Sequence, residues 1–225
     1  MEIRETACAS VNRRIAAARQ AAGAAAVALL AVSKTQPASA IRALAAEGQR
    51  AFGENYVQEA LAKQRELADL PLEWHLIGPL QSNKCREVAG HFDWLQSLDR
   101  AKLVAPLARH RPAGRAPLNV LVQVDIDDEA SKSGCAPDEV DALADLVANE
   151  PRLRLRGLMA IPAPRPDPER RRTAFRRMRA LFDTLRARHA GVDTLSMGMS
   201  DDFELAIAEG ATMVRVGTAL FGRRE

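Results

Sequence analysis

The chain has 225 residues, 47% of them hydrophobic and 27% charged, which is enough apolar surface for a sizeable core and excludes a disordered or fibrous protein. Lysine and arginine number 32 against 29 aspartates and glutamates, a net charge of +3, so no large basic field singles out nucleic acid as a partner. Cys8, Cys85 and Cys135 are too widely spaced for a disulfide framework or a zinc site, and His75, His91, His110 and His189 lack the spacings that place two imidazoles on one metal; no metal is expected.

The N-terminus MEIRETACASVNRR carries acids and has no apolar h-region, so it does not read as a secretory signal. The longest near-apolar run, 21–32, is shorter than the roughly 20 residues that span a bilayer. A cytoplasmic protein without a membrane segment is expected. Ile3, Ala7, Val11 and Ile15 recur every four residues and predict an amphipathic helix ahead of the first strand.

Short β-rich apolar runs then follow along the chain: AAVALLAVSK (25–34), RAFGEN (50–55), LEWHLIG (72–78), FDWLQSL (92–98), LNVLVQVDI (118–126), LRGLMAIP (155–162), DTLSMGMS (193–200) and MVRVGTALFG (213–222). Helix-period segments separate them, among them ASAIRALAAEG and FELAIAEG, each closed by a glycine suited to a helix C-terminus. Eight β-then-α units of about 28 residues predict a single-domain (β/α)8 barrel over 1–225, of the TIM type, with the extra N-terminal helix. A doubly wound open sheet is the competing fold, but AVSKTQP after the first strand is not its glycine-rich fingerprint. RHRPAGRAP (109–117) and PAPRPDPE (162–169) read as loops inside one domain.

In such a barrel the polar residues that close each strand are the candidates for chemistry. The first strand closes with Lys34, where partial desolvation would make the neutral amine available as a nucleophile toward an aldehyde; the plainer alternative is a lysine reaching solvent. The second closes with Asn55 and Tyr56, a ligand contact or a helix N-cap. Gln81, Asn83 and Lys84 after the third do not make a nucleotide triphosphate loop, because Asn83 stands where a second glycine belongs. Strand seven ends at Ser200 beside a helix start, and strand eight ends in small Gly217 and Thr218, an arrangement that admits a phosphate. Asp201 and Asp202 must face away from it. A lysine after strand one and a phosphate cradle after strands seven and eight describe an aldehyde cofactor with a phosphate tail, pyridoxal 5′-phosphate (PLP).

The motifs AVSKTQP, FGENYVQE, WHLIGPLQSNK, EASKSG, SMGMSDDFELAI and RVGTALFG, spread from residue 31 to residue 222, together resemble the YggS/PROSC family of pyridoxal-phosphate-binding homeostasis proteins. That family resembles the barrel of alanine racemase, its N-terminal domain. The resemblance implies a Schiff base on Lys34, phosphate contacts from Ser200, Gly217 and Thr218, Met197 and Arg215 near the pyridine ring, and Asn55 near its substituents. It further implies a carrier or buffer of PLP in intracellular homeostasis, with PLP-dependent apoenzymes as acceptors. The expected protein is a monomer without a reaction of its own.

The alternative is a PLP-dependent amino-acid racemase or decarboxylase, which needs a second acid or base beside the substrate α-carbon. The chain stops three residues after Gly222 with no second β-rich domain to supply one, and Tyr56 is its only tyrosine. Nucleic-acid binding through the nine arginines between Arg165 and Arg188 is a third class; Phe175 and Phe182 there are spaced to face the barrel, so this stretch reads as a solvated outer helix.

Overall fold

The structure is a computed structural model that describes residues 5–24, 26–127, 133–163 and 166–222. Eight parallel strands, β1 (Ala28–Val32), β2 (Ala51–Glu54), β3 (Glu73–Leu76), β4 (Trp94–Leu98), β5 (Leu118–Gln123), β6 (Leu153–Met159), β7 (Thr194–Ser196) and β8 (Met213–Val216), close into a barrel in chain order. The sheet has no open edge, which removes the doubly wound alternative. Helix α1 (Ala7–Ala22) precedes the first strand, and α2 (Ala38–Ala46), α3 (Val57–Glu66), α4 (Cys85–His91), α5 (Val104–His110), α6 (Val140–Ala148), α7 (Pro168–Arg188) and α8 (Phe203–Ala208) follow the first seven.

The strands are shorter than the apolar runs that announce them. The largest difference is in the last run, where TALF forms a one-turn helix, α9 (Thr218–Phe221), instead of continuing β8. Gly217 ends the extended backbone there, so the polar end of the barrel begins well before the end of the apolar run at residue 222. Ile3 of the predicted N-terminal face lies outside the described residues, and Ala7 is exposed. Cys8 takes its place, so the buried stripe of α1 reads Cys8, Val11, Ile15, the alternating spacing of three and four that a 3.6-residue turn requires. Thr6 caps this helix by accepting a bond from the Ala9 amide at 3.1 Å, and Gly23 ends it at φ 63°.

Alternation along each strand sorts the side chains into two regions. Outward-facing residues such as Ala31, Phe52, Leu95 and Leu158 meet the helices in one large apolar core that includes Phe175 and Phe182 of α7. The barrel interior holds two small apolar groups, Leu30–Ile77–Met213 and Trp94–Leu121–Met159. Between them lie wholly or nearly wholly buried polar residues, Gln96, His75, Ser196 and Arg215.

Three arginines of α7 reach neighbouring elements: Arg172 and Arg176 hold Glu209 beyond the end of α8, and Arg188 holds Asp141 and Asp145 of α6. Burial of Phe175 and Phe182 accounts for the opposite face, as expected of an outer helix; Arg165 lies outside the described residues. No described helix is long and apolar enough to cross a membrane.

Close approach of β6 to β7 depends on Gly157. Its φ is 144°, and a Cβ there would lie 2.0 Å from the Thr194 carbonyl oxygen. Gly157→Ala should therefore lose about 2–4 kcal/mol of stability from combined overpacking and backbone strain, read as a lower denaturation midpoint at unchanged slope. A loss under about 0.5 kcal/mol would show that the strands can separate there at little cost.

Candidate functional site

At the C-terminal mouth of the barrel the loops enclose a cavity of about 450 Å³. Six of the seven residues singled out from sequence line it: Lys34, Asn55, Ser200, Arg215, Gly217 and Thr218. Parallel pairing explains why they meet. Ala31 of β1 is in register with Val216 of β8, so Lys34 and Thr218, each two residues beyond its strand, emerge side by side although far apart in sequence.

Met197 is the exception. Ser196, the last residue of β7, points into the barrel, so the next side chain points out, and Met197 is fully buried in the core beneath the helices. Met199, 38% exposed, lines the mouth instead. Asn55 is not a helix cap: Tyr56 occupies the N-cap position of α3. Tyr56 itself is 61% exposed and is not among the lining residues. Gln81 and Asn83 are exposed outside the cavity, and Lys84 reaches Glu87 at 3.5 Å.

The two acidic residues after Ser200 behave differently from each other. Asp202 folds back to accept a bond from the Met199 amide at 2.7 Å, as expected of a carboxylate turned from the cavity. Asp201 does not turn away; it lines the rim, exposed to water that screens its charge. The Ser200 hydroxyl accepts from the Ala219 amide at 3.4 Å, which ties the loop after β7 to the start of α9. Gly217 faces the Val32 carbonyl, where a Cβ would come within 3.3 Å.

The turn that carries Lys34 is held from behind by a buried ionic group. Lys63 of α3 donates to the Ser33 carbonyl at 2.7 Å, to Glu54 Oε1 at 2.7 Å and to Glu59 Oε1 at 2.6 Å. The Ser33 hydroxyl donates to Glu54, and the Thr35 amide donates to Glu59, each at 2.5 Å. Both neighbours of Lys34 are thereby fixed. Thr35 needs this, because its φ of 64° is a left-handed conformation that a β-branched side chain rarely tolerates. Burial pushes the Glu54 carboxyl above the ordinary range, against the opposing pull of Lys63 and Ser33.

Arg215 is 3% exposed, and burial brings its pKa down to about 10, so it is a cation at neutral pH. Cys135, by contrast, is pushed up to about 12 by burial and is an inert thiol. Of the EASKSG motif only Ser133 and Gly134 lie within the described residues; Ser133 lines the cavity and its carbonyl accepts from Gln123 at 2.7 Å.

Sequence reasoning missed Gln36, Gln123 and Asp125, which also line the cavity. Asp125 was available to the rule used for the other strands, since it follows the apolar run of β5. The Lys63–Glu54–Glu59 group was not, because QEALAKQRE reads as an ordinary solvated helix face.

The alanine racemase N-terminal domain family matches residues 7–225. The pyridoxal phosphate homeostasis protein of Pseudomonas aeruginosa is 59% identical over 219 residues, covering 96% of this chain and 94% of its own. That of Escherichia coli K12 is 56% identical over 202 residues, 88% of this chain and 86% of its own. Among solved structures, PipY of Synechococcus elongatus with PLP bound superposes with a TM-score of 0.81 at 42% identity, covering 94% of this chain and all of that one.

Lys63→Met should strand the Glu54 carboxylate in the core and cost about 3–5 kcal/mol in denaturant unfolding, whereas adding Glu54→Gln should recover much of that loss. Additive losses in the double variant would mean that the two groups do not act as a pair.

Proposed function

This chain belongs to the pyridoxal phosphate homeostasis proteins, a family built on the alanine racemase N-terminal domain, and on that premise we propose that it binds PLP through Lys34 and serves PLP homeostasis as a carrier or buffer without turnover of its own. The observation that carries this reading is the convergence of a lysine amine, a buried arginine and a small-residue cradle on one cavity whose size is within the ~300–1,000 Å³ usual for cofactor sites.

The residues present fit the group. When bound, PLP supplies an aldehyde that condenses reversibly with an amine and a ring that can stabilise a carbanion. Lys34 is the amine, presented from a turn that Lys63, Glu54 and Glu59 keep rigid. Ser200, Gly217 and Thr218 would hold the phosphate where the loop after β7 meets the start of α9. Arg215 would face the ring and Asn55 its substituents. Met197, buried in the core, is given no part.

The alternative, a racemase or decarboxylase, requires a second acid or base at the substrate carbon. Tyr56 is absent from the cavity wall, and among the described residues that line it the acid–base candidates besides Lys34 are the carboxylates Asp125 and Asp201, the latter exposed at the rim. A protonated Arg215 against the ring nitrogen would also discourage protonation there and leave the ring a poorer electron sink. The same reading takes the protein as a cytoplasmic monomer. In support of the compartment, the free, buried Cys8, Cys85 and Cys135 suit a reducing environment. PLP-dependent apoenzymes would be the acceptors.

With PLP added, the protein should show a visible absorbance that borohydride fixes to Lys34 on peptide mapping, and Lys34→Ala should lose it while keeping its unfolding midpoint. Label found at Lys84 or Lys132 would overturn the assignment. Ser200→Ala and Thr218→Val should each weaken retention of PLP by about 1–3 kcal/mol and change affinity for pyridoxal much less. Equal losses for both ligands would mean that the hydroxyls support the barrel only. Incubation with common amino acids should give no racemisation, decarboxylation or transamination above that of free PLP. Sustained turnover, lost in Tyr56→Phe, would establish the enzyme.

A further inference from the structure

The barrel interior carries a line of polar side chains that binding at the mouth does not by itself require. Arg215 donates through Nη1 to Ser196 Oγ at 2.7 Å and through Nη2 to the Ala160 carbonyl at 2.8 Å. The Ser196 hydroxyl donates to Gln96 Oε1 at 2.7 Å. Gln96 Nε2 lies 2.9 Å from His75 Nδ1, and His75 Nε2 lies 2.8 Å from Glu73 Oε1. Gln96 Nε2 also meets Met213 Sδ at 3.1 Å.

The direction of every bond follows from the chemistry of the groups. An amide nitrogen can only donate, so His75 Nδ1 accepts and the ring proton sits on Nε2, which donates to the Glu73 carboxylate. Ser196 gives its one hydrogen to Gln96 and therefore accepts from Arg215. All the donors point one way, from the cavity at the C-terminal mouth to Glu73, the first residue of β3 at the opposite mouth.

Ser196, Gln96 and His75 are wholly buried, whereas the Glu73 side chain is 47% exposed. Burial holds the His75 imidazole below its ordinary pKa and so keeps it neutral, and its ring stacks on Trp94 with centroids 5.1 Å apart. Barrel interiors are ordinarily filled by layers of branched apolar side chains. A polar line there is a costly arrangement unless each member is satisfied, and once satisfied it permits one geometry.

We propose that Glu73, His75, Gln96 and Ser196 are positioning residues that act through Arg215, holding its guanidinium in one orientation against the ring of bound PLP from the far end of the barrel. This rests on the reading above that Arg215 faces the ring. Loss of any link frees the next: without Glu73 the His75 tautomer is no longer selected, Gln96 can turn over, and Ser196 no longer presents a lone pair to Arg215.

The test is a double-mutant cycle read with two probes, PLP and inorganic phosphate. Glu73→Ala, at a half-exposed strand end, and His75→Phe, which keeps a ring against Trp94, should each weaken PLP roughly 3- to 10-fold and shift the visible absorbance of the bound ligand. Phosphate affinity should stay within about twofold, because the cradle is untouched. In an Arg215→Met background neither change should have a further effect on PLP, and Glu73→Gln, which can still accept, should restore most of the wild-type spectrum. Glu73→Ala carries the test alone if His75→Phe does not fold. Equal weakening of both probes, or a Glu73→Ala effect undiminished in Arg215→Met, would overturn the proposal. So would Glu73→Ala indistinguishable from wild type while Arg215→Met alters the spectrum. Failure of the wild-type protein to bind PLP would instead remove the functional reading beneath it.

Discussion

Closure of the sheet between its first and last strands is the constraint on which the rest of the molecule depends. Pairing of β1 with β8, Ala28 to Met213 through Ala31 to Val216, satisfies the backbone groups that would otherwise form two open edges. It also creates the site, because the loops after β1, β7 and β8 reach the same mouth at the same height. An open sheet with the same strands would leave Lys34 and Thr218 at opposite ends.

Closure divides the packing into two jobs. The outer face of the strands meets the helices in one large apolar core, which supplies the main stabilisation. The interior is narrow, and its apolar content is two small groups of three buried residues. The space between those groups can therefore be given to polar side chains whose stabilisation is modest but whose geometry is single-valued. Polar groups buried in this barrel serve orientation more than stability, at Arg215 from inside and at Lys34 from outside.

The two devices differ in kind. Behind Lys34 the pairing is ionic: one ammonium shared between two carboxylates and a carbonyl, with a high desolvation cost that only near-ideal contacts of 2.6–2.7 Å offset. It secures a strained turn at Thr35. Along the axis the line from Arg215 to Glu73 is mostly neutral, and its charged ends are kept apart, so it transmits orientation without placing a counter-ion beside the cavity.

The β-then-α rhythm and five cavity residues, Lys34, Asn55, Ser200, Gly217 and Thr218, were legible in the sequence, since hydropathy period and the rule that chemistry sits at strand ends need only local pattern; Arg215 came from the family resemblance. Met197, implied by the family resemblance, faces the core instead: a run of apolar residues does not show where β7 stops or which of its last side chains points inward. TALF misled for the same reason, because hydrophobicity cannot tell a strand from a single helical turn. The polar line through the barrel and the ionic group behind Lys34 could not be read at all. Their members come from β3, β4, β7 and β8, or from β1, β2 and α3, and each residue alone looks like an ordinary strand or surface residue. Composition and period determined which elements form and which mouth carries chemistry; only closure of the barrel decided which buried polar groups face one another, because hydrogen bonding depends on distance and angle in space and leaves no periodic trace along the chain.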